Sequence, residues 1–320
     1  MHQTVRIAVT CGEPAGIGAE VALKALGAGV PGVEPVLVGP PEVWERAARL
    51  AGVDLGPWAV EPVEAELPPD WDWGRPTPRS GRLAARAVEA AVGLVREGRA
   101  EALVTAPLTK AGLAAAGYPY PGHTEMLEAL CGGRALMMLA GPRLRVVLVT
   151  THLPLAEVPR AVTRERVLDT IRGAHRGLRR DFGLPGPRIG VAALNPHGGE
   201  GGLLGSEDAE AIAPAVAAAR AEGIAAEGPV PADVLFHRAA SGAFDVAVAM
   251  YHDQGLGPLK LLHFDDAVNV TLGLPIVRTS PDHGTAFDIA GTGRASATSF
   301  REAARLAAEI ARRRAGEPED

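Results

Sequence analysis

Lysine is almost missing from this chain. Of its 32 Lys and Arg residues, only Lys24, Lys110 and Lys260 are lysines. The other cations are arginines, as GC-rich coding favours, and arginine serves wherever a surface cation suffices. A lysine retained against that background marks a place where a compact, deprotonatable ammonium is wanted. Lys24, on an ordinary amphipathic stretch, reads as chance. Cysteine is equally scarce: Cys11 and Cys131 stand alone, without metal-type spacing. The opening "MHQTVRIAVTCGEPAG" has no basic stretch followed by an apolar one, so a reducing, cytoplasmic setting is expected. No apolar run reaches membrane-spanning length. Excess positive charge is absent too. The formal net charge of -6 excludes an electrostatic fit to nucleic acid or to an anionic membrane.

What is present is ordinary for a globular chain: 47% hydrophobic and 22% charged residues, with length enough for two lobes. There is no internal repeat and no low-complexity tract. Strands are expected at 5–10, 34–39, 101–107, 145–152, 188–197, 243–252 and 267–280. Helices are expected at 80–98, from a Ser80 N-cap to a terminal Gly98, at 163–180, at 206–222 and near the C-terminus. Near-continuous Val, Ile, Leu and Ala strands separated by helices predict a largely parallel sheet covered on both faces. The longest irregular stretch is 63–80, and the charged tail "AGEPED" is expected to fray.

Ligands collect at the carboxyl ends of strands in open α/β sheets, and there the unusual residues lie. "VLVTTH" ends in His152, "VAALNPH" in His197 and "VAMYH" in His252. Separations of 45 and 55 residues exclude a local zinc-finger cluster but allow assembly by folding. Three neutral imidazoles with an open position suit a divalent cation. Alternatively one is an acid/base and two are structural, with Asp253 and Glu200 holding the ring tautomers. The Gly-rich "NPHGGEGGLLG" either presents N–H groups to an anion or is a flexible connection. "GEPAGIGAE" lacks the G-x-G-x-x-G spacing and reads as a turn lining a cleft.

Further along, "PYPGHTE" places His123 and Thr124 at a helix start, as caps or as contacts to substrate oxygens. Lys110, in the first turn of a helix, is misplaced against the macrodipole, which favours a phosphate or carboxylate nearby. Lys260, Asn269 and Arg278, from consecutive elements, can converge on a phosphorylated or carboxylated group. "TSPDHGTAFDIAGTG" carries His283, Gly284 and Asp288 in an apolar loop, suited to an adenosine or simply a tight surface turn.

In this order, "GEPAGIGAE", "TAPLTK", "PGHTE", "LNPHGGEGGLLG", "GPVPAD", "MYHDQG" and "VNVTLGLPIVRTSPDHGTAFDIAG" resemble the 4-hydroxythreonine-4-phosphate dehydrogenase family over nearly the whole chain. The last motif is also similar to the adenosine-binding loop of isocitrate and isopropylmalate dehydrogenases. The resemblance implies their fold: a two-lobed α/β/α sandwich, largely parallel, with the active site in the cleft between lobes. It implies an NAD-side domain (1–135 plus 273–320) and a metal and dimerisation domain (136–272).

The resemblance further implies NAD-dependent oxidation of a secondary alcohol in a small phosphorylated hydroxy-amino acid. The 3-oxo acid formed then loses carbon dioxide, in vitamin B6 biosynthesis. His152, His197 and His252 match metal ligands contributed across a homodimer interface. His123, Thr124, Lys260, Asn269 and Arg278 match substrate contacts, and Lys110 joins them. Asp253 and Lys260 are the candidate catalytic residues, Lys260 as general base or as a holder of substrate charge. His283, Gly284 and Asp288 fall to the cofactor. Zinc, magnesium, cobalt or manganese fits the imidazoles, and NAD is preferred to NADP because no Arg cluster is placed for a 2′-phosphate. Relatives acting on 4-phospho-threonate or 4-phospho-erythronate are the first alternative; a non-catalytic metal-dependent binding protein is the second.

Overall fold

The computed structural model describes residues 4–64, 67 and 71–316. Part of the irregular stretch 63–80, the first three residues and the end of the "AGEPED" tail lie outside the described residues. The chain divides into two compact units, Met1–Ala135 with Leu274–Asp320, and Leu136–Gly273.

The first unit alternates strand and helix: β1 (Val5–Thr10), α1 (Gly18–Gly27), β2 (Val33–Val38), α2 (Pro41–Ala51), β3 (Ala59–Glu61), α3 (Pro78–Arg96), β4 (Ala102–Val104), α4 (Lys110–Ala115) and α5 (His123–Cys131). The second holds β5 (Leu136–Ala140), β6 (Arg145–Leu148), α6 (Val158–Ala161), α7 (Arg164–Phe182), β7 (Ile189–Ala192), α8 (Ala213–Ala221), β8 (Ala226–Val230), α9 (Ala232–Ala240), β9 (Val246–Ala249), α10 (His252–Leu262) and β10 (Val268–Leu272). The chain returns to the first unit as β11 (Val277–Pro281) and α11 (Thr298–Gly316).

In the first unit the strand order is β3-β2-β1-β4-β11, and every pair is parallel. Ile7, Leu37, Leu103 and Val104 are fully shielded, as continuous apolar strands require when helices cover a sheet. Helix α11 runs along β11, β4 and β1, while α3 packs on β1, β2 and β4. In the second unit the order is β10-β5-β6-β9-β7-β8. Here β10–β5 and β5–β6 are antiparallel and the remaining pairs parallel. The α/β architecture with a mostly parallel, helix-flanked sheet is therefore as expected. Among the described residues no helix is long and apolar enough to cross a membrane.

Local chemistry moved several boundaries. Helix α3 is capped by Thr77, not Ser80: the Thr77 hydroxyl accepts from Ser80 N at 3.1 Å and Ser80 Oγ accepts from Thr77 N at 2.8 Å. Pro78 fits the first turn because it has no N–H to satisfy. The expected strand 267–280 is two strands, broken at Gly273 (φ 81°). Asp208–Ile212 forms a wide π-type turn ahead of α8, whose first turn contains Pro214, a residue with no N–H for the regular ladder. Strands β6, β7 and β9 end at Leu148, Ala192 and Ala249, so His152, His197 and His252 sit beyond the strands rather than on their last residues.

Candidate active-site residues

Two groups of the singled-out residues form, one on each unit. In the second unit, the segments after β6 and β9 continue side by side past the ends of their strands. Val149 N donates to Ala249 O at 2.9 Å, and Thr150 Oγ1 to Met250 O at 2.7 Å. This pairing carries His152 and His252 together, with ring centroids 5.6 Å apart and planes tilted by 40°. Asp253 Oδ1 lies 2.6 Å from His252 Nδ1, an arrangement that in the neutral ring favours the proton on Nδ1 and a lone pair on Nε2. Gln254 locks the same turn: its Oε1 accepts from Met250 N and its Nε2 donates to Ala193 O, both at 2.7 Å.

His197 belongs to a tight left-handed loop. Residues 197–201 all have positive φ, including His197 at 53° and Glu200 at 45°. The loop is anchored by the buried carboxylate of Asp208. Its Oδ1 accepts from Leu194 N at 2.8 Å; its Oδ2 accepts from Asn195 N at 3.0 Å and Asn195 Nδ2 at 2.9 Å. Glu200 is exposed and, among the described residues, makes no hydrogen bond to His197. Its expected role in holding a ring tautomer is not met within one chain. Nor do three imidazoles converge within one chain: among the described residues no three His, Cys, Asp or Glu side chains are grouped to hold a metal ion. The donor set nevertheless fits a divalent cation in part, as two adjacent imidazoles, one with its tautomer fixed by a carboxylate.

Lys260 lies in the last turn of α10, half-buried, with Nζ 5.7 Å from the Phe264 ring centroid. Asn269, on β10, turns a shielded Oδ1 that has no hydrogen-bond partner. A buried acceptor left so invites a donor from a ligand.

In the first unit, Arg278 on β11 is only 3% exposed. Its Nη2 and Nε both donate to Thr105 Oγ1, at 2.6 and 3.1 Å. Burial lowers its pKa to about 10, so it remains cationic at neutral pH. His123 opens α5. Burial and, second, the Arg278 guanidinium hold its imidazole well below the usual range, and its Nε2 is shielded without a partner. The cap of α5 is Gly122, with no side-chain cap bond, so neither His123 nor Thr124 serves as a cap. Lys110 begins α4 and is exposed, as its place in a first turn suggested; Thr109 caps that helix through Gly112 N at 2.9 Å. Glu13, in the turn after β1, is buried with Oε2 unpaired, and burial pushes its carboxyl above the usual range.

The loop after β11 contains His283, whose Nδ1 lies 3.0 Å from Gly284 O, with exposed Gly284 and Asp288 and half-buried Ala286, Phe287 and Ile289. Ala286 is held at φ 41°, a strained conformation that surrounding contacts must enforce. An imidazole, exposed backbone, a carboxylate and an apolar wall fit the donor set of an adenosine. Thr105, Asp208 and Gln254 escaped sequence reasoning. Gln254 alone carried a signal, standing beside His252 and Asp253 at the end of an apolar run.

The family model described as pyridoxal phosphate biosynthetic protein PdxA matches residues 32–307. A 4-hydroxythreonine-4-phosphate dehydrogenase of Geobacter metallireducens is 53% identical, covering 96% of each chain. A D-threonate 4-phosphate dehydrogenase of Cupriavidus necator is 46% identical over 97% of this chain and 98% of its own. Among solved structures, a 4-hydroxythreonine-4-phosphate dehydrogenase from Klebsiella pneumoniae superposes with a TM-score of 0.85 at 42% identity, covering 96% of this chain and 98% of the other. With relatives of this similarity along almost its whole length, the chain belongs to the PdxA family of pyridoxal phosphate biosynthetic proteins.

Proposed function

We propose that the protein is an NAD-dependent, divalent-metal-dependent dehydrogenase of 4-phosphooxy-L-threonine. The product, a 2-amino-3-oxo acid, loses carbon dioxide to give 3-amino-2-oxopropyl phosphate for vitamin B6 biosynthesis. The observation that carries this reading is the His152–His252 pair with Asp253 on Nδ1. A divalent cation held by such imidazoles supplies Lewis acidity that lowers the pKa of a substrate hydroxyl.

The chain's own residues divide the remaining work. Arg278, cationic and fixed by Thr105, offers charge-assisted donors to a phosphate or carboxylate. Neutral His123 and the Thr124 hydroxyl lie at the start of α5 as substrate contacts, and Lys110 is a further cation for the substrate. Asn269 Oδ1 accepts from the substrate. Lys260 takes the hydroxyl proton or holds substrate charge. The loop bearing His283, Gly284 and Asp288 holds the adenosine of the dinucleotide.

The active protein is a homodimer in this reading, with His197 meeting the histidine pair across the subunit interface. Support comes from where the apolar surface lies. Among the described residues every exposed large hydrophobic side chain is in the second unit, including Leu155 near His152, Leu203 (84% exposed) near His197, and Leu261 (86%) and Phe264 (73%) on and after the helix that His252 begins. Apolar surface of this kind marks an interface.

The similarity to the Cupriavidus necator protein favours one second reading, oxidation of 4-phospho-threonate. The two substrates differ in an amino or hydroxyl group beside the carboxylate, a difference that a hydrogen-bonding pocket separates strongly. Following NAD reduction with each substrate, with and without chelator, decides among the readings. Turnover of the phospho-amino acid that chelator abolishes is expected. Turnover of the phospho-sugar acid alone gives the second reading; tight binding without any turnover gives a binding protein.

A further inference from the structure

Lys24, which composition left to chance, is heavily engaged. From the last turn of α1 its Nζ donates to Glu20 Oε1 at 2.7 Å, to Gly293 O at 2.7 Å and to Ala295 O at 3.1 Å. Three acceptors use all three ammonium protons. Glu20 is 2% exposed, and its Oε1 also accepts from Ala295 N at 3.2 Å. A carboxylate so buried is costly unless a cation and donors satisfy it. Through Oε1, pair and backbone together tie residues 293–295 to α1, while Glu20 Oε2 is buried without a partner.

The same loop is tied at other points. Ile17 N donates to Thr285 O at 3.0 Å, and Asp282 N to Ser299 Oγ at 2.9 Å. At Gly291 (φ 75°) a Cβ would lie 2.2 Å from Trp73 Cε3, so the indole fixes the backbone there. Between these ties Ala286 stays at φ 41°. The tie at 293–295 depends on a charged side chain reaching in from another element. An arginine would not replace it: a planar fork cannot point three donors at acceptors arranged around one nitrogen. That is a physical reason for a lysine in a chain that otherwise uses arginine.

We propose that Lys24, with Glu20, is a positioning residue for the dinucleotide: by fixing Gly293–Ala295 it sets the loop that presents His283, Gly284 and Asp288. The inference rests on the reading of that loop as the cofactor site. The test is calorimetric titration of the zinc-loaded protein with NAD and, separately, with 4-phosphooxy-L-threonine, in the wild type, Lys24→Met and Lys24→Arg. Both variants are expected to weaken NAD binding by about tenfold, the scale on which loss of a supporting contact acts, and to leave substrate affinity within about twofold. If the wild type binds no NAD, the cofactor reading fails and this inference with it. If the wild type binds NAD and the variants bind it equally well, only the positioning role is overturned. A parallel loss of both affinities makes Lys24 a general structural residue and also overturns it. Should circular dichroism show the Lys24 variants unfolded, Glu20→Gln, which keeps an acceptor but removes the charge, takes their place under the same criteria.

Discussion

Thr105 Oγ1 receives two hydrogen bonds from Arg278, one from Nη2 at 2.6 Å and one from Nε at 3.1 Å. A hydroxyl just past the end of β4 thereby fixes the rotation of a buried guanidinium on the neighbouring strand. Thr105→Val keeps the shape and removes the acceptor. Stability should fall by about 2 kcal/mol, the scale of a lost hydrogen bond to a charged group, and substrate affinity should fall with it. Urea midpoints and substrate titration measure the two. Lost stability with unchanged affinity would confine Arg278 to a structural role.

The depressed pKa of His123 sets a pH dependence. Below its ordinary value near 6.5, the unfolded chain protonates this imidazole while the folded protein keeps it neutral. Unfolded protein then binds more protons, so stability is full above about pH 6.5 and falls as pH drops toward the folded-state pKa. His123→Asn should flatten this part of the curve. Melting temperatures across that range provide the comparison, and His175, whose pKa is also lowered by burial, contributes equally to both proteins. An unchanged slope would mean that the native imidazole protonates readily.

Asp208 holds the His197 loop through Leu194 N, Asn195 N and Asn195 Nδ2. Asp208→Ala removes all three bonds and leaves buried donors unpaired. A loss of about 3 kcal/mol in stability is expected, with metal affinity weakened roughly 10–100-fold, as for other partners that orient a ligand. Zinc titration against a competing chelator reads the second effect. Intact metal affinity in a folded variant would remove His197 from the metal centre.

Leu261→Arg with Phe264→Glu introduces charge into the exposed apolar surface at and just after the end of α10. If that surface joins two copies, sedimentation should show the wild-type dimer becoming monomer. Zinc should then bind more weakly, because His197 and the histidine pair would no longer meet. A variant that stays dimeric places the interface elsewhere.

How far the sequence reached depended on the range over which each signal acts. Alternating apolar strands and amphipathic helices are local patterns, and β1, β2, α3 and α7 lie close to where these put them. The His152–His252 pairing involves two residues that stood out because a polar ring ending an apolar run is itself local. The Thr77 cap was missed because Ser80, three residues on, carries the same chemistry. Thr105 acts through a partner 173 residues away, Gln254 through one 61 away and Lys24 through one 269 away. No periodicity or spacing encodes such pairs. Lys24 looked ordinary because two of its three acceptors are backbone carbonyls, which any sequence provides, and the third, Glu20, makes a common i,i+4 helix pair.

The five consecutive left-handed residues at 197–201 make the His197 loop a short stretch of mirror-image helix. Three of the five are glycine, which is achiral and indifferent to hand; His197 and Glu200 are not, and the L form of each costs roughly 1–2 kcal/mol there. The loop therefore has a stereochemical signature that semisynthesis can read. A D-residue at position 200 should be tolerated better than the natural L-glutamate, whereas a D-residue within α7, where the backbone is right-handed, should be rejected.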